Sequence, residues 1–281
     1  MHDPPDANLL RSEQRDVTLL FADLRGFTKL AASLATDPLV CELLAHVMEC
    51  LSDAVAKHDG YIVDYYGDGL AAMWNAPSDQ PDHAALACHA GLQMLRSLPD
   101  ISAEWRNVTH AELRLGIGVH SGAVQVGNAG SSRKAKYGPR GPNVNLASRV
   151  ESATKELGVS FVVTGATARQ LPDQFTTHRV CRAQMSGFDQ PVDLYAIELA
   201  NADSRSVSAW ATYGEALGQY ERGNLDAAAG ALDAMDASSA DVPWRFLYER
   251  VQNDLNGQLR RRSTDKPTTT SNGGVMLLSS K

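Results

Sequence analysis

The sequence predicts an α+β fold, in which helices cover a sheet and an all-helical appendage follows at the C-terminal end. Strand-like apolar runs alternate with amphipathic helical stretches between residues 16 and 200, and tight turns join some neighbouring strands as hairpins. From Arg205 onwards the sequence becomes alanine-rich and helical in pattern. The 281 residues, 43% of them hydrophobic, suffice for one large domain with a smaller appendage.

The N-terminal part begins with a lead and a strand, and two helices follow. Polar residues 1–15 indicate a flexible lead, and the apolar run 17–22 predicts a buried strand. Apolar residues at helical spacing predict one helix over 39–55 and another over 83–98.

Two hairpins are predicted from turn residues between strand-like runs. The runs 61–66 and 70–74 flank Gly67-Asp68-Gly69, a sequence typical of a tight turn. Residues 112–120 and 123–127 predict a second strand pair around Ser121-Gly122, followed by a glycine-rich loop.

The C-terminal half predicts one more helix and strands before the appendage. A helix is expected over 143–157, a strand over 159–164, and two further strands up to Leu199. Residues 203–262 form the predicted helical appendage, which resembles a single tetratricopeptide unit and is expected to dock a protein partner. Residues 263–281 are predicted to be a disordered tail.

Charge and composition exclude several functional classes. The 26 basic and 33 acidic residues give a net charge of −7, which argues against a nucleic-acid surface. No apolar run reaches the roughly 18 residues of a membrane span, and no signal peptide is apparent, so we expect a cytoplasmic protein without a membrane span. The four cysteines lack Cys-x-x-Cys spacing and are expected to be reduced thiols.

Two aspartates are candidate ligands for a divalent cation. Asp23 follows the first predicted strand, and Asp68 lies at the tip of the first hairpin. Carboxylates on adjacent structural edges can share cations, and hard oxygen ligands beside a phosphate suit Mg²⁺ best. Each aspartate also has a simpler explanation, since Asp is common as a helix cap and in Gly-Asp turns.

The segment after Asp23 is a candidate phosphate site. Arg25, Gly26, Phe27 and Thr28 combine a glycine with the beginning of a helix, where backbone N–H groups would face an anion.

Asn145 and Arg149 are candidate catalytic residues on the predicted helix 143–157. They lie four residues apart, so they share one face and could reach one ligand together. The planar guanidinium of Arg149 suits a phosphoryl group at which charge develops. A surface ion pair is the alternative explanation for this arginine.

These motifs together resemble the class III nucleotidyl cyclases. They are Phe-Ala-Asp-Leu-Arg-Gly-Phe-Thr (21–28), Tyr-Gly-Asp (66–68), Gly-Ile-Gly-Val-His-Ser-Gly (116–122) and Gly-Pro-Asn-Val-Asn-Leu-Ala-Ser-Arg (141–149), and the resemblance spans residues 16–199. It implies the family's ferredoxin-like sheet covered by helices and head-to-tail dimerisation. It also implies conversion of a nucleoside triphosphate to a 3′,5′-cyclic monophosphate and pyrophosphate.

The resemblance assigns a role to each candidate residue. It implies that Asp23 and Asp68 hold two divalent cations, Mg²⁺ or Mn²⁺, and that residues 25–28 contact the triphosphate. Asn145 matches the asparagine that orients the ribose, and Arg149 matches the arginine that stabilises the pentavalent phosphorus. In the family these two residues come from the opposite subunit, so a homodimer with two shared sites is implied.

The chain departs from the family pattern at three positions. Asp64 and Lys136 stand where the family's adenylate cyclases carry Lys and then Asp or Thr, so the charges are inverted. Asp64 could accept from the guanine N1–H and N2–H groups and Lys136 could donate to O6, which favours GTP over ATP. The alternative is an adenylate cyclase in which the two residues pair with each other. Ser186 stands where the family carries a lysine that binds the triphosphate, and the nearest cations are Arg179 and Arg182. A further alternative is therefore a catalytically idle nucleotide-binding regulatory module.

Overall fold

The computed structural model describes residues 12–33, 38–110, 112–131, 134–200, 204–235, 243–262 and 274–278. Within these ranges the elements in chain order are β1 (Ser12–Leu24), α1 (Phe27–Ser33), α2 (Leu39–Lys57), β2 (Tyr61–Tyr66), β3 (Gly69–Trp74), α3 (His83–Glu104), α4 (Arg106–Thr109), β4 (Leu115–Ser131), β5 (Lys134–Arg140), α5 (Pro142–Leu157), β6 (Phe161–Thr164), α6 (Gly165–Ala168), β7 (Phe175–Met185), β8 (Val192–Leu199), α7 (Ser204–Glu221), α8 (Leu225–Asp233), α9 (Trp244–Arg262) and β9 (Val275–Leu278). The predicted α+β class, with helices at the C-terminal end, is confirmed.

The strands form one mixed sheet. Their order is β2-β3-β1-β4-β6-β8-β7-β9, and β5 pairs with β4 beside this path. β4 is antiparallel to β1 and parallel to β6, and β9 is parallel to β7. The arrangement places β1 and β4, which carry Asp23 and the glycine-rich motif, side by side at the centre.

Helices cover both faces of the sheet. On one face α2 and α3 share a core with the strands that includes Leu43 and Leu20. On the opposite face Leu19 belongs to a second core with Ala147 of α5. Because side chains alternate along a strand, Asp23 lies on the same face as Leu19 and therefore on the α5 side of the sheet.

The second predicted hairpin is wrong. β4 runs without a turn, and β1 pairs with it continuously from Ser12 opposite Gly127 to Leu24 opposite Leu115. This long partner satisfies the backbone of Ser121 and Gly122, so tertiary pairing overrides the local turn preference of a Ser-Gly dipeptide. The predicted glycine-rich loop is also wrong, since β4 continues to Ser131 and β5 pairs with it. Residues 12–15 likewise belong to β1 rather than to a flexible lead.

The other sequence predictions for this domain hold, with shifted boundaries. α2, α5 and the β2–β3 hairpin lie where the patterns place them. α3 continues beyond the predicted end at Leu98, through Pro99, because Leu98 and Ile101 both remain buried in the core.

The helical appendage packs on the α5 side of the sheet. The Tyr213 hydroxyl donates to the carbonyl of Val180 at 2.7 Å, and the Trp210 ring stacks on His178. Tyr213 is 0% exposed, so α7 is part of a core shared with β7. No helix in the described ranges is both long and apolar enough to cross a bilayer.

Part of the predicted disordered tail is ordered, so that prediction is wrong for residues 275–278. These residues form β9, which adds to the edge of β7 with Met185 opposite Leu278. Met276 and Leu278 are buried beside β7, and Arg250 of α9 donates to the carbonyl of Leu277. A strand this short is stabilised by the edge it joins, which its own sequence does not reveal. The other residues of 263–281, apart from 274, lie outside the described residues.

Candidate active site

Asp23 lies at the end of the central strand β1, Asp68 lies just before the neighbouring strand β3, and both line a common cleft. Asp23 pairs in register with Gly69 of β3 on one side and Gly116 of β4 on the other. Asp68 lies in the turn between β2 and β3, where Gly67 adopts a φ of +65°. A Cβ at Gly69 would lie 2.9 Å from both the backbone carbonyl oxygen of Ala22 and the carboxylate of Asp23, so a larger residue would force the chain to shift there. The cleft has a volume of about 740 Å³.

The electrostatics of this edge favour a cation. The pKa of Asp23 is raised from 3.8 to about 6, mainly by burial and then by the charge of Asp68. The charge of Asp68 opposes the ionisation of Asp23, and a bound divalent cation would relieve that cost. The described residues contain no cluster of three or more metal-ligating side chains. Two carboxylates with phosphate oxygens and water as the other ligands nevertheless suit Mg²⁺, so the residues fit the implied cations.

The remaining cleft wall is basic. Arg25, Gly26 and Thr28 line it as the sequence predicts. Three further cations that sequence reasoning missed also line it, namely Lys29, Arg114 and Lys155. Lys155 is close enough to lower the pKa of Asp23. No local pattern identifies Lys155, because only the packing of α5 beside the end of β1 brings it there. Arg114 directly precedes β4. Its position two residues before the glycine motif 116–122 is the sequence feature that could have identified it.

Arg25 also lines this cleft, but its guanidinium is paired within the chain, and the side chain of Phe27 does not line the cleft. The Arg25 guanidinium lies 3.4 Å from the carboxylate of Glu151 on α5. Burial is the main cause that lowers the pKa of Arg25 and raises that of Glu151 to about 7. The Phe27 side chain is 8% exposed and belongs to the core. Arg25 is therefore engaged within the protein, and Phe27 could reach a phosphate only through its backbone.

Asn145 and Arg149 lie on the exposed side of α5, and neither has a hydrogen-bond or ion-pair partner among the described residues. Asn145 lines a second cleft of about 460 Å³, together with Phe21, Asp23 and Tyr66. This second cleft shares Asp23 with the first. Both predicted catalytic side chains are consequently free to contact a ligand or a second subunit.

Asp64 and Lys136, the predicted base-recognition residues, form an ion pair with each other. The carboxylate of Asp64 on β2 lies 2.5 Å from the Lys136 ammonium on β5, and both side chains are about two-fifths exposed. Arg179 is engaged elsewhere, since it donates to Glu221 at 2.7 and 2.8 Å and to Asp193 at 3.1 Å. It is therefore not available to take the place of the lysine that the resemblance implies at position 186.

Comparisons with known proteins identify the family of this chain. The family model of the adenylate and guanylate cyclase catalytic domain matches residues 10–199. The chain is 31% identical over 184 residues to adenylate cyclase 1 of Rhizobium meliloti (strain 1021), an alignment that covers 66% of this chain and 28% of that protein. It is 30% identical over 139 residues to the receptor-type guanylate cyclase gcy-23 of Caenorhabditis elegans, covering 49% of this chain and 13% of that protein. The chain thus corresponds to a minor part of these relatives.

Solved structures show the same relationship. The adenylyl cyclase CyaB from P. aeruginosa superposes with a TM-score of 0.64 at 27% identity, covering 69% of this chain and 99% of that chain. The guanylyl cyclase Cya2 superposes with a TM-score of 0.59 at 28% identity, covering 69% of this chain and 97% of that chain. From the match over residues 10–199 we conclude that the chain belongs to the class III adenylate and guanylate cyclase catalytic domain family.

Proposed function

We propose that this protein converts a purine nucleoside triphosphate to its 3′,5′-cyclic monophosphate and pyrophosphate. The observation that carries the proposal is the meeting of Asp23 and Asp68 over a cleft walled by Lys29, Arg114 and Lys155. A triphosphate with its cations brings both signs of charge, and this cleft offers partners for both.

In the proposed reaction the ribose 3′-oxygen attacks the α-phosphorus. The 3′-hydroxyl passes its proton to solvent water, a bond forms from O3′ to the α-phosphorus, and the bond from that phosphorus to the oxygen bridging the α- and β-phosphates breaks. Pyrophosphate leaves with the electron pair. Asp23 and Asp68 would hold two divalent cations, which when bound lower the pKa of the 3′-hydroxyl and neutralise phosphate charge.

The chain's own residues would orient the substrate. Lys29, Arg114 and Lys155 would bind the β- and γ-phosphates, and Thr28 with the backbone after Gly26 would fix their position. Asn145 would hold the ribose, and Arg149 would stabilise the charge that develops on the α-phosphoryl oxygens.

We further infer that Asn145 and Arg149 serve the site of a second subunit. Support comes from their lack of partners among the described residues and from the exposed aromatic side chains beside the second cleft. Tyr65 and Tyr66 are 49% and 55% exposed, which is unusual for aromatic residues and typical of a protein interface. A homodimer would cover them and complete two sites.

For the base we propose a preference for GTP over ATP. The Asp64–Lys136 ion pair presents an acceptor and a donor side by side, which matches the N1–H and O6 edge of guanine. The pair could instead neutralise itself and leave the base unread, and relatives of both kinds exist. Competition between ATP and GTP at equal concentration separates these two possibilities.

The decisive experiment is to incubate the purified protein with each triphosphate and with Mg²⁺ or Mn²⁺, and to separate the products by chromatography. We expect a cyclic monophosphate from the wild-type protein and none from Asp23→Asn or Asp68→Asn. Asp53→Asn, which removes an exposed carboxylate on α2, is the matched control and should retain activity. The second candidate function is an idle nucleotide-binding regulatory module, because Arg179 donates to Glu221 and is not available to bind the triphosphate in place of a lysine at position 186. Nucleotide binding without turnover would favour this candidate.

A further inference from the structure

The ion pair between Arg25 and Glu151 joins the two parts of the proposed site within one chain. Arg25 lies two residues after Asp23, and Glu151 lies on α5 two residues after Arg149. Their side chains are 21% and 12% exposed, at a separation of 3.4 Å. The facing atoms, Arg25 Nη2 and Glu151 Oε1, are buried and have no hydrogen-bond partner, so each depends on the charge of the other.

Two glycines of β4 make room for this pair. A Cβ at Gly116 would overlap the Arg25 guanidinium and lie 2.6 Å from the Thr154 hydroxyl. A Cβ at Gly118 would overlap the backbone of Glu151, so α5 rests directly on the strand there. Glycine at these two positions leaves room for Arg25 and Glu151 to lie over the same strand. This explains why this part of the motif lacks side chains.

Helix geometry makes Glu151 the inner anchor of α5. At 100° per residue, Glu151 projects about 160° away from Arg149 and about 120° away from Asn145 around the helix. Glu151 is buried against the sheet, whereas Asn145 is exposed. A fixed inner side chain sets both the rotation of the helix about its axis and its position along the sheet. The outward direction of Asn145 and Arg149 follows from where Glu151 is held.

We propose that Arg25 and Glu151 are positioning residues that hold α5 in register with the aspartate-bearing edge of the sheet. This inference rests on the proposed function and goes beyond it, because it assigns Arg25 to the helix rather than to the triphosphate. In the proposed homodimer Asp23 and Arg149 of one chain serve different active sites. The pair therefore connects the two sites through a single chain.

The test is a double-mutant cycle with Arg25→Met and Glu151→Met. Each single variant leaves one buried charge unpaired and is expected to lower Tm. The double variant keeps apolar volume without charge, a replacement that is often neutral or stabilising, so its Tm should return to that of the wild type. Even so, we expect the amides of α5 to exchange hydrogen faster than in the wild type, and kcat to fall about 100-fold with a much smaller change in KM.

The matched control is the double variant Arg179→Met/Glu221→Met, which removes the ion pair between β7 and α7. Its exchange rates in α5 and its kcat should stay at the wild-type values. If the Arg25→Met/Glu151→Met protein fails to fold, Arg25→Lys keeps the charge but loses the planar fork, and kcat should fall about 10-fold.

The outcomes separate this proposal from the proposed function. Wild-type Tm, α5 exchange and kcat in the double variant would overturn the positioning role, and so would wild-type kcat in Arg25→Lys. If the wild-type protein makes no cyclic nucleotide, the proposed function fails. Faster α5 exchange in the double variant would even then support the positioning role, because that measurement needs neither nucleotide nor metal.

Discussion

Replacing Asp23 with Asn should stabilise the protein when no metal is present. The pKa of Asp23 is raised from 3.8 to about 6, so the folded state disfavours the ionised carboxylate. A shift of this size corresponds to about 3 kcal/mol for a fully buried group. Solvent screening at this partly exposed side chain reduces that to about 1–2 kcal/mol. The neutral amide escapes this cost, which corresponds to a rise in Tm of about 2–4 °C at pH 8.

The direction of the pH dependence follows from the same shift. Because the folded pKa lies above the unfolded value, the stabilising contribution is complete below pH 3.8 and is lost as pH rises through about 6. Glu151, whose pKa is raised to about 7, acts in the same direction. The advantage of Asp23→Asn over the wild type should therefore shrink as pH falls from 8 to 5.

Thermal unfolding in a chelator at pH 5 and pH 8 measures this effect, with Asp53→Asn as the control for an exposed carboxylate. Adding Mn²⁺ and a nucleotide should reverse the order, since ligand binding stabilises only a protein that retains its ligands. The reasoning would be refuted if Asp23→Asn in chelator at pH 8 melted at or below the wild-type temperature.

Three further predictions follow from the interfaces. An Asp23→Ala chain mixed with an Arg149→Ala chain should regain activity at one of two shared sites, and verified heterodimers that stay inactive would contradict the shared-site proposal. Deleting residues 203–281 should cause aggregation in size-exclusion chromatography, because α7 and β9 bury the apolar side of β7; a monodisperse, folded product would contradict this packing. Gly118→Ala should cost about 1–3 kcal/mol in denaturant unfolding, because its methyl group would meet the backbone of Glu151, and an unchanged midpoint would show that α5 can move aside.

The proposed site residues were identifiable from the sequence because each lies in a short motif. Asp68 lies between two glycines at a hairpin turn, and Asn145 and Arg149 share one face of a helix because of their spacing. Turn chemistry and helical periodicity act over a few residues, so neither needs the rest of the fold. Which subunit these side chains serve does not follow from their spacing.

The placement of Arg25 shows where sequence reasoning stops. Its position after Asp23 suggests a phosphate ligand, but its guanidinium lies against Glu151, 126 positions later in the sequence. Lys155 is the opposite case. It belongs to no recognisable motif, yet the packing of α5 places it in the cleft. Both depend on how a helix packs across two strands, and no local pattern encodes that packing.

The sequence by itself determined the α+β class, the family, the helices α2 and α5, the first hairpin and the motif residues, since all of these depend on local periodicity or on motif spacing. Tertiary structure alone decided that β4 runs straight past Ser121-Gly122, that residues 275–278 join the edge of β7, and that α7 covers the sheet. In each of these cases a distant partner supplies the hydrogen bonds or the apolar surface, so the stabilising free energy comes from a contact that neighbouring residues do not specify.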